Sequence, residues 1–116
     1  MNGAWGERAA QDFLARKGYR ILDANFRTRF GEIDIIAQDG KYIVFVEVKT
    51  RRNARFAAAR EHVTPTKQAR IIAAAEKWLQ GHPDDMQPRF DVIEVYGEEG
   101  APVPLRINHL ENAFGG

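Results

Sequence analysis

Apolar residues recur at helical spacing in two stretches of the chain. The first stretch predicts a helix from about Trp5 to Lys17 that ends at Gly18, because glycine commonly terminates helices. The second predicts a helix that begins at Thr64-Pro65, an N-cap followed by proline in the first turn, and runs to about Gln80. The stripes expected to face the core are Trp5, Ala9 and Phe13 with Gly6, Ala10 and Leu14 in the first helix, and Ile71, Ile72, Ala75, Trp78 and Leu79 in the second.

Three segments between the two helices favour β-strands. The first, from about Tyr19 to Phe26, is expected to be irregular near Asp23–Asn25 because its apolar positions do not alternate strictly. The other two, Glu32–Gln38 and Lys41–Thr50, are rich in β-branched residues and are joined by Asp39-Gly40, which is typical of tight hairpin turns. Both faces of Lys41–Thr50 are apolar, so we expect this strand at the centre of a sheet with helices on both faces.

The order of the predicted elements defines an α/β fold. Arg89–Tyr96 alternates as a strand, and a strand, a helix and a further strand favour a parallel pair with a right-handed crossover. Pro102–Leu110 is predicted to be a short C-terminal edge strand because its prolines limit pairing. Since 116 residues are about the size of one domain, a single domain is expected over residues 1–116, with a helix, a three-strand meander, a crossover helix, a strand and the edge strand.

Composition excludes several classes of protein. The chain has no cysteine, which excludes disulfides and thiolate metal sites. Its longest apolar runs, Tyr42–Val46 and Ile71–Ala75, are five residues long and too short to span a membrane. The N-terminus has no basic stretch followed by an apolar one, as a secretory signal would, so we expect a cytoplasmic protein without a membrane partner.

The net charge of +1 hides a segregation of charge along the chain. Residues 49–70 contain seven basic side chains and one acid, a local charge of +6, whereas residues 84–116 contain two basic and seven acidic side chains, a charge of −5. The basic segment suits a polyanion such as nucleic acid, and a solvated loop and helix face is the alternative interpretation. Phe56 lies within this segment, where it suits either stacking on a base or anchoring of the loop.

Acidic residues gather on one face of the predicted hairpin. With Asp39-Gly40 as the turn, Glu32 faces Glu47 and Asp34 faces Phe45 across the two strands. The period of two then directs Glu32, Asp34 and Glu47 to the same side, with Asp34 and Glu47 as diagonal neighbours about 7–8 Å apart at the backbone. Because neighbouring like charges destabilise a sheet, the fold itself has no reason to gather them there.

A divalent metal site would account for these carboxylates. Mg²⁺, or Mn²⁺ in its place, takes oxygen ligands and keeps several waters, so Asp34 and Glu47 are predicted to hold such an ion. Lys49 projects to the same side, where its ammonium is predicted to hold a phosphate oxygen or position the attacking water. Glu7 lies at the margin of the first helix's apolar stripe and is a candidate further ligand. A surface ion network of these acids with Lys49 and nearby arginines is the alternative.

Five short motifs extend over nearly the whole chain. They are Gly6-Glu7, Gly31-Glu32-Ile33-Asp34, Val46-Glu47-Val48-Lys49, Val63-Thr64 with Lys67, and Arg89-Phe90-Asp91. In combination they resemble the YraN-like family of uncharacterised bacterial proteins, which is assigned to the restriction-endonuclease-like, or PD-(D/E)XK, superfamily and is similar to archaeal Holliday-junction resolvases. The resemblance implies that fold, metal ligands at Asp34 and Glu47, a catalytic lysine at Lys49 and a helix acid at Glu7.

Two functions follow from these predictions. The first is a Mg²⁺-dependent nuclease that hydrolyses phosphodiester bonds in DNA, branched DNA included. The second is a nucleic-acid-binding or scaffold module with a nuclease fold and little cleavage. Resolvases act as dimers, so the resemblance also makes a homodimer a candidate assembly. The predicted catalytic residues are Asp34, Glu47, Lys49 and Glu7, and the predicted nucleic-acid contacts are Arg51, Arg52, Arg55, Lys67 and Arg70.

The remaining polar residues carry weaker predictions. His62, His82 and His109 are each placed at a loop-like position without metal-ligand spacing, and we interpret all three as incidental. Asp91 is expected either to order Arg89 or to face the site, and the sequence leaves both open.

Overall fold

The computed structural model describes residues 4–52, 63–82 and 85–115. Within these ranges the chain forms helix α1 (Ala4–Arg16), strands β1 (Arg20–Arg27), β2 (Glu32–Asp39) and β3 (Tyr42–Arg51), helix α2 (Pro65–Gln80), and strands β4 (Gln87–Tyr96) and β5 (Arg106–Phe114). The predicted α/β class and order of elements are confirmed. Neither helix in the described part of the chain is long and apolar enough to cross a membrane.

The strands of the described residues form one five-stranded sheet in the order β1-β2-β3-β4-β5. Neighbouring strands are antiparallel except for β3 and β4, which are parallel. Helix α2 lies between β3 and β4 in sequence, so the predicted parallel pair with a helical crossover is confirmed. β3 is the central strand, as its two apolar faces predicted.

Each helix covers one face of the sheet and has its own apolar core. Helix α1 packs over the face that buries Val44 and Val46, and helix α2 packs over the face that buries Ile43 and Phe45. The alternation along β3 therefore sends successive side chains into different cores. The residues that the helices bury are Trp5, Ala10 and Leu14 from α1, with Gly6 at the contact, and Ile71, Ala74, Ala75 and Trp78 from α2.

The turn between β2 and β3 differs from the prediction. Asp39 pairs with Tyr42, so the turn residues are Gly40 and Lys41 rather than Asp39 and Gly40. Gly40 has a φ of +57°, a left-handed value that suits the first position of a type II′ turn. Asp39 stays in the strand, where its carboxylate accepts a hydrogen bond from the Arg89 guanidinium at 3.2 Å.

The correction moves the register of the hairpin by two residues. Ile35 pairs with Val46, and Asp34 and Glu47 follow directly beyond that pair, whereas the predicted register placed Asp34 opposite Phe45. A shift of two preserves the parity of the pairing between the strands, while a shift of one would have reversed it. The two acids are therefore closer to direct opposition than the diagonal arrangement that was predicted.

The C-terminal edge strand begins later than predicted. β5 covers Arg106–Phe114 rather than Pro102–Leu110. The preceding residues form a connection that is closed by a hydrogen bond from the Leu105 N–H to the Tyr96 carbonyl at 2.8 Å. The prolines lie in this connection because they lack the N–H that a paired strand donates. β5 is nevertheless at the edge of the sheet, as predicted.

Local signals in α2 and β1 are confirmed. The Thr64 hydroxyl accepts a hydrogen bond from the Lys67 N–H at 3.1 Å, which caps α2 at its N-terminus. In β1 the pairing with β2 shifts between Ile21 and Asp23, and Asn25 has a φ of +54°. The cap matters for function because it fixes the direction of the first turn of α2, which carries Lys67.

Candidate active site

The strands of the β2–β3 hairpin separate at one end, and the candidate site lies there. Beyond the pair of Ile35 with Val46, the Asp34 Oδ2 atom accepts a hydrogen bond from the Val48 N–H at 2.8 Å. A side-chain oxygen of β2 thus replaces a backbone acceptor for β3. This bond holds the Asp34 carboxylate against β3, one position from Glu47.

The Glu47 carboxylate lies between two lysines. Its side chain is only 8% exposed, and its Oε2 atom lies 3.3 Å from Lys67 Nζ and 3.9 Å from Lys49 Nζ. Lys49 comes from the same strand, two residues later, whereas Lys67 comes from the first turn of α2. The sequence prediction made Lys67 a nucleic-acid contact, and the structure brings it into the carboxylate site itself.

Burial raises the pKa of both carboxyl groups. The pKa of Asp34 rises from 3.8 to about 6, chiefly through burial; the charges of Glu7 and Glu32 add to the rise, and the backbone hydrogen bond and Lys67 oppose it. The pKa of Glu47 is also raised, first by burial and then by the charge of Asp34, against the two lysines. Two adjacent carboxylates that resist ionising together would be stabilised by a bound cation.

Glu7 influences the site from the first turn of α1. The helix approaches β3 closely at Gly6, where a Cβ would lie 2.5 Å from the Thr50 hydroxyl oxygen. A side chain at this position would have to displace the Thr50 hydroxyl, so glycine favours the close approach of the first turn of α1 to the end of β3. Glu7 is partly buried there, and its charge contributes to the raised pKa of Asp34.

Glu32 stands apart from the two buried acids. It is exposed, and its Oε1 atom lies 3.3 Å from the Arg27 Nε atom in a surface ion pair. Within residues 4–52, 63–82 and 85–115, no group of three or more His, Cys, Asp or Glu side chains is placed to hold a metal ion. The fold thus brings Asp34 and Glu47 together, and Glu7 and Glu32 add their negative charge near Asp34.

A basic cleft of about 450 Å³ lies next to the two carboxylates. Lys67 and Arg70 line it from α2, and the loop between β1 and β2 forms the other wall with Arg27, Arg29 and Phe30. Lys67 belongs to both the cleft and the carboxylate site, which makes them continuous. The prediction missed the β1–β2 loop, although an Arg-Thr-Arg-Phe run between two strands was a readable signal.

The other predicted nucleic-acid contacts lie in different surroundings. The Arg51 side chain is 14% exposed and lies 3.8 Å from Glu94, so it is mostly enclosed by the sheet. Arg52 is 81% exposed and lies 3.9 Å from Glu98. Arg55 and Phe56 lie outside the described residues. Among the described residues of the predicted basic set, Lys67 and Arg70 line the cleft.

A second buried carboxylate lies away from the candidate site. Asp91 is fully buried and accepts two hydrogen bonds from Arg89, at 2.8 and 2.9 Å, and one from His109 at 2.7 Å. Asp91 therefore orders Arg89, the first of the two predicted roles. The interpretation of His109 as an incidental loop residue was wrong, because His109 lies in β5 and closes this cluster. His109 already lay within the predicted edge strand Pro102–Leu110, and the structure adds the pairing of β5 with β4 that places its ring beside Asp91.

His82 also has a structural role rather than an incidental one. Its ring stacks on Trp78 with 3.8 Å between centroids, and its Nδ1 atom lies 2.8 Å from the Trp78 carbonyl oxygen. These contacts stabilise the C-terminal end of α2. His62 lies outside the described residues.

Fold and site together define a mixed α/β protein with two buried carboxylates and two lysines beside a basic cleft. The chain belongs to the uncharacterised protein family UPF0102, whose model matches residues 6–95. It is 49% identical over 113 residues to a UPF0102 protein from Symbiobacterium thermophilum, covering 97% of this chain and 94% of the relative. It is 50% identical over 115 residues to one from Alkaliphilus oremlandii, covering 97% and 96%. The family predicted from the motifs is confirmed, and the matched range includes the carboxylates, the lysines and the cleft.

Proposed function

We propose that this protein is a nuclease that uses a divalent cation to hydrolyse phosphodiester bonds in DNA, on a restriction-endonuclease-like core. The observation that carries the proposal is the pair of buried carboxylates, Asp34 and Glu47, with raised pKa values, next to two lysines and a basic cleft. Such a site weakens the sheet until a cation or substrate arrives, so chemistry accounts for it better than stability does. The choice of DNA rests on the resemblance to archaeal resolvases.

The two carboxylates suit Mg²⁺ or Mn²⁺. Mg²⁺ prefers oxygen ligands, keeps several waters and is usually bound through one or two carboxylates together with substrate phosphates. Asp34 and Glu47 supply such a pair, and Glu7 adds negative potential from α1. An ion held there would neutralise charge on the phosphate and make a water molecule more acidic.

The two lysines are suited to different tasks. Both lie near the same Glu47 oxygen, but Lys67 also lines the cleft, so it is placed to hold a phosphate that enters the site. Lys49 follows Glu47 by two residues on β3, where its ammonium can stabilise the negative charge that develops as the phosphate is attacked. Before substrate arrives, both ammonium groups compensate part of the Glu47 charge.

A nucleic-acid-binding module with little cleavage is the second candidate function. Two observations favour it: the described residues contain no set of three potential metal-binding side chains, and Lys67 lies 3.3 Å from Glu47 and offsets part of its charge. A site neutralised by its own lysine can bind a phosphate without a metal ion.

A cleavage panel separates the two functions. The substrates are single-stranded, duplex, flap and four-way-junction DNA, and RNA, with Mg²⁺ or Mn²⁺ and with chelator. For a nuclease, Lys49→Ala lowers cleavage by on the order of a hundredfold and keeps cation binding, because it removes a charge stabiliser but no ligand. Asp34→Ala and Glu47→Ala lose both cleavage and cation binding.

Glu76→Gln and Lys77→Ala are the matched controls, since both residues are exposed on α2 and lie outside the site. Both controls should cleave like the wild type. Cleavage that persists unchanged in all three site variants would identify a contaminating nuclease and refute the assignment. DNA binding without cleavage of any substrate would favour the binding module.

A further inference from the structure

The loop between β1 and β2 presents an aromatic side chain at the rim of the basic cleft. Phe30 is 49% exposed, and the guanidinium carbon of Arg29 lies 5.1 Å from the centroid of its ring. Both residues line the cleft that Lys67 and Arg70 enter from α2. An exposed phenyl ring surrounded by cations combines the two features that bind a nucleic-acid strand, a stacking surface and phosphate contacts.

The loop holds this arrangement through its own hydrogen bonds. The Thr28 hydroxyl accepts from the Phe30 N–H at 3.0 Å and from the Gly31 N–H at 3.1 Å, and it donates to the Gly31 carbonyl at 3.0 Å. The Thr28 N–H also donates to that carbonyl, at 2.8 Å. The hydrogen bonds fix the backbone on both sides of Phe30, so the ring is exposed on a rigid support.

Gly31 fixes the loop against α2. A Cβ at this position would lie 2.6 Å from the Arg70 carbonyl oxygen, which is closer than backbone atoms allow. The absence of a side chain therefore lets the loop touch the helix backbone and close one end of the cleft. Phe30 and Arg70 consequently line one cleft rather than independent surfaces.

We propose that this cleft binds a single-stranded segment of nucleic acid, with one unpaired base stacked on Phe30 and the adjoining phosphates held by Arg29, Lys67 and Arg70. Only the orientation of the bound strand toward the carboxylates rests on the proposed nuclease function, because Lys67 links the cleft to those carboxylates. Unpaired bases are required because a base inside a duplex is covered on both faces by its neighbours. The substrate class is therefore nucleic acid with a single-stranded part.

The test measures binding in chelator, so that neither a cation nor cleavage is involved. The probes are a labelled oligothymidylate of about 15 nucleotides, a blunt duplex of the same length, and an oligouridylate. Fluorescence anisotropy measures the affinity of the protein for each probe. The wild type should bind the single strand roughly tenfold more tightly than the duplex. Equal or tighter binding of the duplex would overturn the proposal. If oligouridylate binds as tightly as oligothymidylate, the ligand is a single strand of either RNA or DNA. If oligouridylate binds more weakly, the ligand is single-stranded DNA. Both outcomes support the proposal.

Variants of Phe30 separate stacking from simple hydrophobic contact. Phe30→Leu should weaken binding of the single strand roughly tenfold, whereas Phe30→Trp should keep or improve it, because leucine lacks the aromatic face. Leu105→Ala is the control, since Leu105 is an exposed apolar residue that does not line the cleft. Unchanged affinity in Phe30→Leu would overturn the stacking role.

A variant of Arg70 tests the phosphate contacts independently of the loop. Arg70→Gln should reduce the log-log dependence of affinity on salt by about 0.7 for a single strand, the loss of about one phosphate contact. An unchanged slope would show that Arg70 does not contact a phosphate of the bound strand. If the wild type cleaves no substrate of the panel but these binding results hold, the nuclease is refuted and the cleft assignment stands. If it cleaves in the panel but the binding results fail, the cleft assignment is refuted and the nuclease stands.

Discussion

Two regions of the molecule bury carboxylates, and they shift the pKa values of these groups in opposite directions. Asp91 is fully buried, and although burial by itself raises its pKa, the hydrogen bonds from His109, Arg89 and the Asn112 N–H outweigh burial and lower it. Burial also dominates for Asp34, but there a single backbone hydrogen bond and one lysine do not compensate it, and the pKa rises to about 6. One carboxylate is stabilised as an anion by the fold, and the other is not.

The difference separates a structural role from the proposed functional one. Asp91 connects β4 to β5 and orders Arg89, which also reaches Tyr19 at 2.7 Å, so its charge is used entirely within the protein. The charge of Asp34 raises the cost of ionising Glu47 at an opening beside a basic cleft. A ligand from outside can relieve that cost, and a protein retains such a cost where function requires it.

The largest expected effect comes from removing the Asp91 carboxylate, whose charge is compensated by hydrogen bonds. Asp91→Asn should lower the free energy of unfolding by about 3–5 kcal/mol at neutral pH, because it leaves the buried Arg89 guanidinium with only the partly exposed Asp39 carboxylate as an anionic partner. Urea denaturation followed by circular dichroism measures this. Since the pKa of Asp91 is lowered in the folded state, its contribution is present above the ordinary pKa and is lost as the pH falls through the folded value. A loss below about 1 kcal/mol would show that the cluster is not a compensated ion pair.

The next largest effect is an increase in stability, and it concerns Asp34, whose charge is not compensated. Asp34→Asn should raise the free energy of unfolding by about 1–3 kcal/mol at neutral pH, since the amide oxygen still accepts from Val48 and carries no charge. The folded pKa of about 6 lies above the ordinary 3.8, so the wild type loses stability as the pH rises through this window, and the variant does not. The free energies of unfolding of the two proteins should therefore become equal below the ordinary pKa.

Urea denaturation over a pH series measures the difference, with Asp12→Asn as the control because Asp12 is an exposed acid on α1. The control should follow the wild type at every pH. An Asp34→Asn variant that is less stable than the wild type at neutral pH would mean that the carboxylate is compensated after all, and the contrast with Asp91 would disappear.

The smallest effect sharpens the comparison by adding the cation proposed for the site. At about ten times its dissociation constant, Mg²⁺ or Mn²⁺ should raise the free energy of unfolding of the wild type by about 1.4 kcal/mol. Asp34→Asn should show little of this gain because it removes a ligand, and Asp12→Asn should keep it. Differential scanning calorimetry with potassium chloride at matched ionic strength measures the gain. Equal stabilisation of all three proteins would indicate nonspecific screening rather than a site.

Short-range patterns determined most of the architecture. The Thr64-Pro65 pair set the start of α2, and the alternation in Lys41–Thr50 identified the central strand, because caps and periodicity act within a few residues. The same alternation directed Asp34, Glu47 and Lys49 to one side, and the two-residue error in register did not disturb that side. Face assignment depends only on parity, which a sequence displays directly.

Contacts between distant segments were decided by the tertiary structure alone. Lys67 meets Glu47 because α2 packs back over the β2–β3 hairpin, and the β1–β2 loop reaches Arg70 because Gly31 has no side chain. His109 became part of a buried cluster because β5 pairs with β4 at a register that no local signal specified. Sequence patterns state which residues share a face, but distances between elements follow from how the helices and strands pack, since that packing is set by the whole core at once.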